Sequence, residues 1–187
     1  EGDPAQGRRV GSQTRASTTR TRSAPAASMP GSDPATDRYS KDAVYRERKA
    51  AMAERVVAAL GGSVAGKRIA VLGLTFKPET DDMRDAPSLD VITALQDAGA
   101  RIRAYDPEGM PAARAMLTDV DYARDPYDCA RGADALVIVT EWDLFRALDL
   151  GRLKAALAQP VVVDLRNIYR PEDMRRHGFA YTSIGRP

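Results

Sequence analysis

Short, nearly unbroken apolar runs constrain this chain more than any other feature. They are RIAVLGL at 68–74, DALVIVT at 134–140 and PVVVDLRN at 160–167. Each is too short for a stable helix and too uniformly apolar to keep one face in water. Such runs fit strands covered on both faces. Helix-period segments separate them. SLDVITALQDAGA (88–100) is closed by Gly99, with Ser88 expected as its N-cap after Pro87. PAARAML (111–117) is a short helix. DLGRLKAAL (149–157) has Asp149 near its start, and PEDMRRHG (171–178) is opened by Pro171 and stopped by Gly178. RIRAYD (101–106) and FAYTSIG (179–185) complete the strands. The alternation predicts an α/β fold, a Rossmann-like, mostly parallel sheet with helices on both faces.

A helix and a tail precede this unit. In DAVYRERKAAMAERVVAAL (42–60), Val44, Met52, Val56, Val57 and Leu60 form one apolar stripe, and Gly61–Gly62 ends the helix. A one-faced helix needs a cover. Residues 1–41 are Ser, Thr, Ala, Pro, Gly and Arg with few large apolar side chains, so they are expected to be disordered. The expected division is a tail at 1–41, a helix at 42–62 and a ligand-binding domain at 63–187.

Charge narrows the function classes. Six Arg against four acidic residues lie in the first 40 positions, and the remainder balances at 22 of each sign. A folded part with no net charge carries no basic stripe, so no specific nucleic-acid partner is expected. No run reaches 18 apolar residues, so no membrane span is expected. The start, EGDPAQGRRVG, has no apolar core of a secretory signal. One cysteine, Cys129, makes no internal disulfide, and a cytoplasmic location is expected. With one histidine, His177, and one cysteine, the chain offers no zinc set. Cys129 has no histidine nearby in sequence and is read as a buried filler.

In an open parallel sheet, ligands bind beyond the carboxyl ends of the strands. That rule points to loops 73–87, 105–110, 139–143 and 164–170. The first runs GLTFKPETDDMRDAPS before any helix begins. It is not G-x-G-x-x-G entering a helix, so no standard dinucleotide turn is formed. Lys77 offers a point charge for a phosphate, or a solvated cation among acids. Arg84 offers a donor fork, or a local pair with Asp81 or Asp82. Phe76 suits stacking on a base or plugging the sheet end. Asp106 is either a ribose-binding acid or a turn residue before Pro107. Arg166 suits a diphosphate clamp or a pair with Asp164, and Asn167 a backbone turn. Glu141 and Trp142 are pocket-wall candidates, with Trp142 also suited to core filling. None of these is assigned a catalytic role.

GKRIAVLGLTFKPETDDMRDAPSLDVI, followed in order by AYDP, ADALVIVTEWDLF and VVVDLRNIYRP, resembles the C-terminal domain of UDP-glucose 6-dehydrogenases and related nucleotide-sugar dehydrogenases. The resemblance covers about residues 48–187. It implies the UDP-sugar-binding part of an enzyme that oxidises UDP-glucose to UDP-glucuronate with two NAD. It implies that Phe76 and Lys77 hold the nucleotide sugar. By the same resemblance, Arg84 reaches toward NAD, and Arg166 lies near the UDP-sugar of a partner subunit. Residues 42–62 match the end of a central, dimer-forming helix, so a homodimer or an assembly with a catalytic domain is expected. The family's NAD fingerprint and catalytic cysteine are absent from this sequence, and Cys129 does not match that cysteine. This chain alone is therefore expected to be inactive. The alternative is a non-catalytic nucleotide-sugar-binding fragment, or a piece of a related nucleotide-sugar dehydrogenase.

Overall fold

The computed structural model describes residues 41–185. The expected tail lies outside them save for Lys41, which opens helix α1 (Lys41–Ala59). Strand β1 (Arg68–Leu72) shows why the apolar runs are unbroken. Ile69 and Val71 enter one core and Ala70 and Leu72 the other, all fully buried. The elements that follow are α2 (Pro87–Asp97), β2 (Arg101–Tyr105), α3 (Met110–Ala113), β3 (Val120–Tyr122), α4 (Pro126–Ala130) and β4 (Ala135–Ile138). Then come α5 (Asp143–Arg146), α6 (Leu150–Ala156), β5 (Val161–Asp164), α7 (Pro171–Arg176) and β6 (Ala180–Ser183).

The six strands lie in the order β3-β2-β1-β4-β5-β6, and every pairing is parallel. This is the doubly wound order. Helices α1 and α2 and the α3 region supply Val56, Ile92, Leu95, Ala113 and Leu117 to one core. Helices α4 to α7 supply Cys129, Phe145, Leu153 and Met174 to the other. Each fully buried aliphatic side chain contributes about 1.5–3 kcal/mol. Register puts Tyr105, Leu72, Ile138, Asp164 and Ser183 side by side. Their following loops therefore leave one end of the sheet together.

Several expectations are corrected. Ser88 is not the α2 cap. Pro87 occupies the first turn, the N-cap is Ala86 without a side-chain cap bond, and the buried Ser88 hydroxyl donates to the Leu74 carbonyl. Strand β3 and helix α5 were not expected. The stripe on α1 is not left bare, because Ala53 and Val56 are buried and Met52, Val57 and Leu60 pack on the same core. Among the named stripe residues, Val44 stays exposed. Asp149 does cap α6, accepting from Arg152 N at 2.9 Å. No helix among the described residues is long and apolar enough to cross a membrane.

Candidate functional site

Asp106 closes β2 and organises the sheet end. It is fully buried. Its Oδ2 accepts from Leu74 N at 2.7 Å, Thr75 N at 3.2 Å, Thr75 Oγ1 at 3.3 Å and Trp142 Nε1 at 3.2 Å. Its Oδ1 accepts from Glu108 N at 3.0 Å and Gly109 N at 2.7 Å. Both oxygens are committed to the chain's own donors. The turn reading of Asp106 holds, and a ribose hydroxyl would find no open acceptor there.

Between β1 and β4 the strand order reverses, where a doubly wound sheet normally opens a crevice. Here the loops that follow β1 and β4 approach closely. Gly73 sits at φ +89°, and a β-carbon on it would stand 2.5 Å from Thr140 Cβ and 2.6 Å from Thr140 N. Thr140 Oγ1 donates to Thr75 O at 2.7 Å. The loops after β1 and β4 are thus joined where the strand order reverses.

The loop after Thr75 is braced from within. Phe76 N donates to Asp82 O at 2.9 Å and Asp82 N to Thr80 Oγ1 at 3.1 Å. Asp82 takes Arg84 N at 2.9 Å, Nε at 3.0 Å and Nη2 at 2.8 Å. These bonds from Arg84, its side chain first, bring the Asp82 carboxyl down to about 2. Glu79 and Asp85 adopt positive φ, which non-glycine residues visit at a cost. On this loop Phe76 is 43% exposed. Lys77 is exposed, and among the described residues no hydrogen bond or ion pair engages it. Its charge acts on Asp82 only at longer range. Of the two readings for Arg84, the local pair with Asp82 is formed, yet its side chain remains 87% exposed.

Arg166 follows β5. Its partner is Glu141, not Asp164. Nη2 donates to Glu141 Oε1 at 2.7 Å and Nε to Oε2. The bonds from Arg166 hold the Glu141 carboxyl below its ordinary range. Asp164 is buried and serves the backbone instead. It accepts from Arg166 N at 3.0 Å, Tyr169 N at 3.1 Å and the Tyr181 hydroxyl at 2.7 Å. Asn167 sits at positive φ and ties to Ile184 through both amide atoms at 3.0 Å, as a turn residue should. Trp142 is core filling, bound to Asp106.

Two candidate groups therefore meet at mid-sheet. Thr140 bonds Thr75, which precedes Phe76 and Lys77, and Glu141 next to Thr140 pairs with Arg166. No bond links Arg84 to Arg166. A hollow of about 570 Å³, lined by residues that include Gln96, Arg101, Met116 and Asp119, lies by the amino end of β2, away from these loops. Cys129 is a buried filler, bonded through Sγ to Arg103 O at 3.3 Å. Burial pushes its thiol up to about 12.

With this geometry in hand, similarity to known proteins is informative. Residues 70–171 match the model of the UDP-glucose/GDP-mannose dehydrogenase family, UDP binding domain. The chain is 61% identical over 145 residues to the UDP-glucose 6-dehydrogenase of Rhizobium meliloti (strain 1021), covering 78% of this chain and 33% of that protein. It is 46% identical to the UDP-glucose 6-dehydrogenase TuaD of Bacillus subtilis (strain 168), covering 67% and 28%. A solved NDP-N-acetyl-D-galactosaminuronic acid dehydrogenase from Methanosarcina mazei Go1 superposes with TM-score 0.67 at 29% identity, over 75% of this chain and 30% of that one. A UDP-glucose dehydrogenase from Pyrobaculum islandicum superposes with TM-score 0.60 at 32% identity, over 75% and 31%. The chain spans about a third of the length of the curated relatives it matches.

Proposed function

Because this chain belongs to the UDP-glucose/GDP-mannose dehydrogenase family through its UDP binding domain, we propose that it is the nucleotide-sugar-holding part of a UDP-glucose 6-dehydrogenase. The whole enzyme would oxidise UDP-glucose to UDP-glucuronate with two NAD. The observation that carries the reading is Lys77, an exposed cation unpaired among the described residues, beside exposed Phe76 on a loop braced by Asp106 and Asp82. Lys77 supplies a charge for the diphosphate and Phe76 an apolar face for the nucleoside side of the ligand. Arg166 clamps the diphosphate, in its own or a partner subunit's site. Arg84, bound to Asp82 yet exposed, reaches outward toward NAD held on another domain.

On this reading the chain alone binds but does not oxidise. Its one thiol is buried and protonated, and a nucleophilic cysteine needs an accessible thiolate. The buried thiol also suits a reducing cytoplasm. Assembly, as a homodimer or with a catalytic domain, is part of the proposal. A mostly apolar groove between α1 and α2, lined by Ala50, Ala53, Glu54, Val57, Ala58 and Ala94, supports it. Sedimentation at high concentration giving the mass of one isolated chain would count against it.

Calorimetric titration with UDP tests the ligand. Weak binding is expected, and Lys77→Ala should weaken it about tenfold, the worth of one charge-assisted hydrogen bond. No heat from the unmodified chain at millimolar UDP would sink the proposal. UDP-glucose and NAD added to the purified chain should yield no NADH.

A further inference from the structure

We infer that Glu141 is a positioning residue, which presets the Arg166 guanidinium to receive a diphosphate. The inference rests on the proposed role of Arg166 and deepens it. A guanidinium has five N–H donors and two forked edges. Glu141 takes the side edge, Nε with Nη2. The end edge, Nη1 with Nη2, keeps two parallel donors, and among the described residues Nη1 has no hydrogen-bond partner. That edge matches two phosphate oxygens. A diphosphate can therefore add to Arg166 without displacing Glu141.

Both ends of Arg166 are already fixed. Its backbone N–H is held by buried Asp164, and the next residue, Asn167, is tied twice to Ile184. Glu141 is fixed in turn by its two neighbours. Thr140 is buried and bonded to Thr75, and Trp142 is buried and bonded to Asp106. The carboxylate thus stands on the same framework that carries Phe76 and Lys77. An arginine held this way has given up most of its rotamer freedom before the ligand arrives, so binding does not have to supply that ordering. The opposite expectation is that Glu141 competes with phosphate for one cation. Competition requires the ligand to use the occupied side edge, and the free end edge makes that unnecessary.

The two ideas differ in sign. UDP is titrated into the full chain and followed by backbone and arginine Nε–H NMR shifts, which read millimolar dissociation constants. Glu141→Gln should bind UDP about three- to tenfold more weakly, as should Arg166→Ala, while the folded spectrum persists. The double variant should be no weaker than Arg166→Ala alone, because Glu141 acts through Arg166. A purely structural role would lower the melting temperature and leave the dissociation constant unmoved. Glu141→Gln binding as tightly as the unmodified chain, or tighter, overturns the inference, as do additive losses in the double variant. Arg166→Ala binding normally removes Arg166 from the site and the inference with it, but leaves Lys77 standing. No UDP shifts at all in the unmodified chain overturn the proposed function itself.

Discussion

Replacing Asp106 with asparagine changes no volume and removes one acceptor. The carboxylate takes six donors, four on Oδ2 and two on Oδ1. An amide offers one oxygen and one NH₂. In the better orientation the oxygen keeps the four donors from Leu74, Thr75 and Trp142. The NH₂ then faces the N–H groups of Glu108 and Gly109, donor against donor. Each buried N–H without an acceptor costs about 1–3 kcal/mol, and the four retained bonds lose their charged partner. Asp106→Asn should therefore destabilise the domain by about 3–5 kcal/mol. For a domain of about 150 residues this corresponds to roughly 10–15 °C in melting temperature. Thermal and urea unfolding followed by circular dichroism measure both quantities. UDP affinity should fall as well, because Leu74 and Thr75 lead directly into Phe76 and Lys77. A loss below about 1 kcal/mol would refute the claim that this carboxylate clamps the sheet end.

Three further outcomes follow from the same geometry. Gly73→Ala should destabilise by several kcal/mol, since a new methyl would meet Thr140 at 2.5 Å in a left-handed backbone, a conformation that alone costs about 1–2 kcal/mol; urea midpoints measure it, and an unchanged midpoint contradicts it. Cys129, with its thiol pushed up to about 12 by burial, should resist iodoacetamide at pH 8 in the native chain and react once urea unfolds it; native labelling at the rate of a free thiol would contradict the burial. Asp82 should titrate near 2 in carbon-13 NMR and move up toward about 4 in Arg84→Ala. Because the folded value is depressed, the pair's stabilising effect is present above about pH 4 and lost as pH falls toward 2. An unshifted Asp82 in the variant would assign the depression to another cause.

The central strands were legible because both faces of each are covered, which leaves their apolar runs unbroken. Strand β3 was not, since VDY is three residues long with exposed Asp121 at its middle, and a sheet-edge strand needs no apolar run. Ser88 looked like a cap by type, but the helix starts two residues earlier, with Pro87 in its first turn and Ala86 as N-cap, and the hydroxyl turned inward. Arg84 and Asp82 are two residues apart, so local reasoning reached their pair. The same reasoning failed for Arg166. Strand β5 ends at Asp164, so the two-residue alternation that would put Asp164 and Arg166 on one side no longer applies. The actual partner, Glu141, lies 25 positions away on another strand's loop. The six-donor role of Asp106 was hidden for a similar reason. Leu74, Thr75 and Trp142 reach it from 31 to 36 positions away, a distance at which residue type says nothing about proximity.

Helix α1 packs on α2 and also on the sheet's last-made part. Ala53 and Val56 share a core with Val163 and Leu165, and Arg55 donates to Ser183 O across 128 positions. The first described helix to leave the ribosome can lean on α2 early but completes its packing only with the last strands. Until the chain around 161–184 has been synthesised, its apolar stripe lacks part of its cover. Contacts this distant close slowly, so completion of the domain is timed by its C-terminal end. A chain stopped short of β5 would leave part of the α1 stripe bare, a patch open to chaperones and proteases.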